Sequence, residues 1–167
     1  MLDFLKGVWP VPDRREYESM FSPHVREVFT EAKIIAKKFL ESEIQTEHVL
    51  GALLARKSFA LLRLTDFGID WKLLEDRLNG LMDKKDGGDG PNDGCHNFQD
   101  DKVLSNPVLT VVKIAGELTT EASHSRIDCE HVVYGLLVEA DGEAGKILRE
   151  LGVTGEKYRD AWLKEQD

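Results

Sequence analysis

The sequence predicts an all-α fold in which one four-helix unit occurs twice in tandem. Three observations predict it. The phrase Thr46-Glu47-His48-Val49-Leu50 recurs 83 residues later as Cys129-Glu130-His131-Val132-Val133, and the copies run on into Leu53-Leu54 and Leu136-Leu137; such self-similarity at a fixed offset is the mark of a structural repeat. Upstream of each phrase, apolar residues fall at helical spacing: Val25, Val28, Phe29, Ala32, Ile35 and Phe39 in one copy, Val108, Val111, Val112, Ala115, Leu118 and Ala122 in the other, each a stripe for a buried face. Helix-starting and helix-stopping residues also stand in the same order in both copies.

Residues 1–20 form an N-terminal arm outside the repeats. Its apolar residues Leu2, Phe4, Leu5, Val8 and Trp9 are interrupted by Asp3 and Lys6 and followed by Pro10 and Pro12, so the uninterrupted apolar core of a signal peptide is lacking. The first repeat is 21–82. Ser22 before Pro23 pairs a capping hydroxyl with a residue that needs no amide hydrogen in the first helical turn. Thr46 is expected to cap the second helix and Ser58 the third, Gly68 to close the third in a left-handed turn, and Asp70 to cap a fourth that buries Leu74 and Leu78.

Residues 83–103 are expected to be a flexible acidic linker, because Asp83 to Asp101 is rich in Gly, Asp, Asn and Lys around Pro91 and offers little apolar surface to offset its ordering entropy. The second repeat, 104–167, restates the first with Ser105-Asn106-Pro107, Asp128, Gly152 and Thr154, and with Tyr158 and Trp162 in place of the two leucines. Downstream the offset becomes 84, since Asp66-Phe67-Gly68-Ile69 answers to Glu150-Leu151-Gly152-Val153. One residue has been added in the loop around Asp141-Gly142. Both repeats are read as one domain.

Composition narrows the function. The net charge is −9, from 31 acidic and 22 basic side chains, and such a field repels nucleic acid while favouring cationic partners. Two cysteines, Cys95 and Cys129, are too few for a disulfide framework. No window approaches the roughly 18 apolar residues of a membrane span. The expected setting is cytoplasmic, without membrane or nucleic-acid partners.

The doubled pattern of Phe21-Ser22, Thr46-Glu47-His48-Val49-Leu50, Leu53-Leu54 and Phe67-Gly68-Ile69, repeated as Leu104-Ser105, Glu130-His131-Val132-Val133, Gly135-Leu136-Leu137 and Leu151-Gly152-Val153, resembles the N-terminal domain of bacterial Clp unfoldases. The resemblance covers about Phe21 to Leu163 and is read as a stand-alone domain without the ATPase motor, ending on the charged Lys164-Glu165-Gln166-Asp167. It implies that the two tandem four-helix repeats pack as one compact pseudo-twofold bundle of eight helices, a non-catalytic module that binds protein clients or components of a Clp unfoldase or protease system, as adaptor, accessory factor or competitor. It also implies a candidate phosphoarginine or partner site at Ser22 with Glu47 and Ser105 with Glu130, each pair 25 residues apart. A carboxylate can take a guanidinium fork, and a helix start with a hydroxyl suits a phosphoryl group. The same four residues also fit as caps and first-turn acids that answer the helix macrodipole. His48 and His131 are expected to pack at helix crossings and donate a hydrogen bond.

The alternative is a small helical sensor or enzyme that binds a metal or small ligand through the histidines and cysteines. Cys95-His96 with Cys129 and His131 matches no standard zinc spacing. Glu121 and His124 make one Glu-x-x-His where a carboxylate-bridged iron site needs two. Asp89, Asp93, Gly94 and Asp100 imitate a calcium loop, but Pro91 occupies a ligand position. No catalytic residue and no cofactor is assigned. Gly142-Glu143-Ala144-Gly145-Lys146-Ile147 has the wrong glycine spacing for a phosphate loop, with Ile147 where Ser or Thr must stand. The purified chain is therefore expected to turn over no ATP in a phosphate-release assay, and turnover that copurifies with it would contradict this reading.

Overall fold

The computed structural model describes residues 17–86 and 103–166. After a single turn, α1 (Tyr17–Met20), the first repeat contains α2 (Pro23–Lys38), β1 (Glu43–Ile44), α3 (Thr46–Ala55), α4 (Phe59–Leu62) with a 3-10 turn over Arg63–Phe67, and α5 (Trp71–Asp86). The second contains β2 (Val103–Leu104), α6 (Asn106–Glu121), α7 (Cys129–Val138), α8 (Glu143–Glu150) and α9 (Gly155–Gln166). Helix starts in the two repeats differ by 83, 83, 84 and 84 residues, so the register shift falls between α7 and α8, where the sequence places its added residue.

Local chemistry accounts for most boundaries. Ser22 and Ser105 are N-caps whose hydroxyls accept from the amides of Val25 and Val108 at 3.3 and 3.4 Å. Asp70 and Thr154 accept from Leu73 and Lys157 at 3.1 and 3.3 Å. Gly68 and Gly152 have φ of 73° and 94°, a conformation in which a Cβ is strained. Two boundaries differ from the sequence reading. Asp83–Asp86, assigned to the linker, continue α5, because nothing in that run breaks a helix before Gly87 and Gly88. Gln45, not Thr46, occupies the N-cap of α3, and the Thr46 hydroxyl is used elsewhere. Residues 87–102, and with them most of the expected linker, lie outside the described residues, as do residues 1–16 of the arm.

The repeats interlock through short extended segments. Glu43 and Ile44 pair in parallel with Val103 and Leu104, and Phe21 makes the matching parallel bridge to Ile127. Ser105 N–H donates to the Ile44 carbonyl at 3.0 Å and Ser22 N–H to the Ile127 carbonyl at 2.9 Å. Each repeat's entry into its first helix is thus held against the segment that precedes the second helix of the other repeat. The helices cross over in the same sense, α4 packing on α7 and α8 on α3. One continuous apolar cluster includes Phe21, Val25, Leu50 and Leu74 from the first repeat and Val108, Val132, Leu148 and Tyr158 from the second. Burying that shared surface makes the two halves one cooperative unit.

The crossing of α6 and α7 is a tight one and tests this packing. A Cβ on Gly135 would lie 2.6 Å from the Val111 carbonyl oxygen and 2.9 Å from its Cγ1, whereas a Cβ on Gly51 would meet Ile35 and Met82 at an ordinary 3.5 Å. Gly135→Ala is expected to destabilise the fold by about 1–3 kcal/mol through overpacking. Gly51→Ala should be neutral or stabilise by up to about 1 kcal/mol through helix propensity. Urea titration followed by circular dichroism reads both.

Candidate binding cleft at the start of α7

The interlocked segments bring the start of α2 against the start of α7. Ser22 caps α2 with one lone pair and donates its hydroxyl proton to Asp128 Oδ1 at 3.1 Å, a contact that spans 106 residues. Asp128 in turn caps α7, accepting from the Cys129 amide at 2.8 Å. Its own amide donates to His131 Nδ1 at 2.7 Å, and Gln45 N–H likewise donates to His48 Nδ1 at 2.9 Å. Each histidine therefore occupies the third helical position of a capping box, where Glu or Gln is usual. At Nδ1 both rings accept, because the N-cap amide has no partner within its helix, which leaves Nε2 as the nitrogen through which a neutral ring donates.

With Nδ1 accepting, a neutral His131 carries its proton on Nε2, which faces His124 Nδ1 at 3.1 Å. Both rings meet Trp162 edge-on, with centroids 5.5 and 5.2 Å away. His131 is buried, and burial, with the neighbouring His124 second, lowers its pKa from 6.5 to about 4.

Beside this cap lies a cleft of about 350 Å³ between the first turns of α2, the α3–α4 connection and the start of α7. His24, Glu27 and Val28 form one wall, Arg56 to Ala60 the second, and Asp128, Cys129 and Glu130 the floor. Glu27 and Arg56 form an ion pair with both side chains about half exposed, a contact of small energetic value. Phe59 on the rim is 85% exposed. Lys57 stands in the left-handed region with φ of 50°, where it ends α3 through Lys57 N–H to Leu54 and Ser58 N–H to Leu53, both 3.1 Å. The Ser58 hydroxyl bonds the Cys129 thiol instead of capping α4. Burial pushes that thiol up to about 11, so it is inert near neutrality. Glu130 is half-buried, and among the described residues its carboxylate makes no hydrogen bond or ion pair; Arg63, itself paired with Glu165, lies within its electrostatic reach.

The four site residues of the sequence reading thus fall in different settings. Glu130 lines the cleft, and Ser22, which the reading paired with Glu47, is buried behind it and bonds the cleft residue Asp128. Ser105 and Glu47 are 2% exposed each; Glu47, expected at the surface, is covered because the Thr46 hydroxyl donates toward its carboxylate at 3.4 Å while accepting from the amide of Ala144 in α8 at 3.3 Å. Arg56, Lys57, Phe59 and Asp128 were missed as cleft residues. Asp128 was legible as a cap, but the other three face the cleft only because the repeats cross. Of the metal candidates, Cys95, His96 and the calcium-like Asp89 to Asp100 lie outside the described residues. Cys129 and His131 are engaged as above, and Glu121 pairs with Arg159. Among the described residues no three His, Cys, Asp or Glu side chains converge.

Comparison with known proteins identifies the family and the fold. The family model of the Clp repeat N-terminal domain matches residues 20–151. The chain belongs to that family. A probable ATP-dependent Clp protease ATP-binding subunit of Chlamydia pneumoniae is 26% identical over 146 residues, covering 87% of this chain and 16% of the relative; the chain thus spans about a sixth of that protein. The Hsp104 N-terminal domain of Candida albicans superposes with a TM-score of 0.67 at 17% identity, covering 84% of this chain and 87% of that one. The N-terminal domain of the ClpD chaperone of Arabidopsis thaliana gives 0.63 at 20% identity, covering 91% and 97%. These two likenesses establish the shared all-α fold. Clp repeat domains are non-catalytic modules through which unfoldases bind substrates and adaptors. No described helix is long and apolar enough to cross a membrane.

The capping histidine makes the Clp repeat fold acid-sensitive. Because its folded pKa is depressed, His131 contributes stability that is fully present above pH 6.5 and lost as pH falls from 6.5 through about 4, since the unfolded chain binds the proton more readily. At about 1.4 kcal/mol per unit the loss is on the order of 3 kcal/mol. His131→Gln keeps an acceptor at the same helical position and removes the titration, so its stability should fall less than wild type over this window in urea titrations at stepped pH.

Proposed function

We propose that the chain is a protein-binding module of a Clp unfoldase or protease system that seizes an arginine or phosphoarginine side chain of a client or partner in the cleft at the start of α7. The observation that supports this most directly is the Glu130 carboxylate, half-buried in a cleft without a hydrogen bond or ion pair among the described residues. Such a carboxylate is an acceptor held ready, and a guanidinium fork satisfies it with two parallel hydrogen bonds. The opposite lip carries Arg56 and Lys57 with His24 nearby, cationic groups that suit a phosphoryl group on the same guanidine. The exposed Phe59 ring adds an apolar face on which the guanidinium or a neighbouring side chain can lie. Ser22 acts by orienting Asp128 and the start of α7. The net charge of −9 draws cationic segments toward the module at long range.

In this reading Glu47 and Ser105 are helix-start residues within the fold, not ligand contacts. Removing the Glu130 carboxylate removes a charge-assisted contact worth roughly 1.5–3 kcal/mol, or about one to two decades in affinity. Calorimetry with free phosphoarginine and with N-acetylarginine amide, comparing wild type with Glu130→Gln, is expected to show that loss without a change in the thermal midpoint comparable to that of a core variant. Wild type that takes up neither ligand at millimolar concentration would overturn the function.

A further inference from the structure

A pseudo-twofold that creates a cleft at the start of α7 should create a second at the start of α3, with Glu47 as the counterpart of Glu130. We infer that, of the two helix-start clefts of the described residues, only the one at the start of α7 accepts a ligand, because residues Glu139–Ala144 of the second repeat act as a built-in plug over the other, so that the pair takes one cationic segment. The inference rests on the ligand chemistry proposed above and adds its stoichiometry and the element that sets it.

The two connections that should be equivalent are built differently. In the first repeat α3 is closed by Arg56 at φ −89° and ψ 0°, and the chain turns through the left-handed Lys57 to line the cleft beside the start of α7, with Glu130 half-buried. In the second repeat the counterpart of Arg56 is Glu139, extended at φ −62° and ψ 128°, and the chain runs straight onto the start of α3. The added residue in this loop supplies the length. Glu139 is 4% exposed, its carboxylate accepting from the amide of Asp141 at 2.7 Å and from that of Gly142. The Arg149 guanidinium binds the carbonyls of Leu137 and Glu139 at 2.9 and 3.0 Å. The plug is thereby tied down from both sides.

Its fit against Thr46 is close. A Cβ on Gly142 would sit 2.6 Å from the Thr46 side chain and from the Glu139 carboxylate, so the segment seats only because that residue is glycine. Behind it the Thr46 hydroxyl bridges Ala144 N–H and Glu47. At the open cleft the counterpart of Thr46 is Cys129, whose thiol meets Ser58 and leaves Glu130 uncovered. The connection beside the open cleft carries Arg56 and Lys57, whereas the plug carries Glu139, buried on the plug's own amides.

The experiment is calorimetry of the wild-type chain with phosphoarginine, together with amide-resolved NMR of the same titration, repeated with Gly142→Ala. Wild type should bind one equivalent, with amide shifts confined to Glu27, Lys57 to Ala60 and Asp128 to His131. Gly142→Ala, which lifts the plug, should take a second equivalent, with new shifts at Thr46 to His48. Two equivalents on wild type, or comparable wild-type shifts at Thr46 to His48 and Glu139 to Ala144, would overturn the single-cleft inference and leave the proposed function standing. A folded Gly142→Ala protein that still takes one equivalent would also overturn it. No binding by wild type would overturn the function and the inference together.

Discussion

The parallel backbone pairing that joins the repeats, Ile44 with Leu104 and Phe21 with Ile127, is the constraint on which the remaining structure depends. Two short pairings contribute little energy by themselves, since a net hydrogen bond is worth about 1 kcal/mol. Their effect is positional. Each fixes the start of a first helix beside the start of a second helix from the other repeat, and everything at the cleft follows from that adjacency: the Ser22 hydroxyl on Asp128, the α3–α4 connection over α7, and the α7–α8 connection over α3. The apolar stripes then fill the space between, and the free energy of the fold comes from that burial.

Helix capping and the proposed recognition draw on the same kinds of group, the hydroxyls and acids at Ser22, Glu47, Ser105 and Glu130. A helix start exposes unpaired amides and draws acids and hydroxyls to them. Where the neighbouring connection covers the start, as over α3, those groups satisfy one another and become part of the core. Where the connection only lines the wall of a cleft, as beside α7, the acid in the first turn is left half-buried. Internal repetition supplies two similar frameworks whose α3–α4 and α7–α8 connections differ by one residue in length. The histidine of each repeat serves the framework, in positions where its ring replaces the acceptor of a capping box.

Much of this architecture was readable in the chain by itself. The offset of 83 and its change to 84, the Ser-x-Pro and Ser-Pro helix starts, the glycines that require positive φ and the apolar stripes all reappear as helix boundaries and buried faces. They were readable because they arise from contacts within about one helical turn or from a regular period, both of which are local properties of the sequence. The sequence also located the added residue near Asp141-Gly142, without indicating its consequence. Tertiary structure alone decided that Ser22 meets Asp128 and not Glu47, that the Thr46 hydroxyl serves α8 and not its own helix, and that Glu47 is sealed while Glu130 is open. These depend on how one repeat crosses the other, through contacts between residues about a hundred positions apart, and a pattern that is the same in both repeats carries no information about which loop of one will lie across which helix of the other.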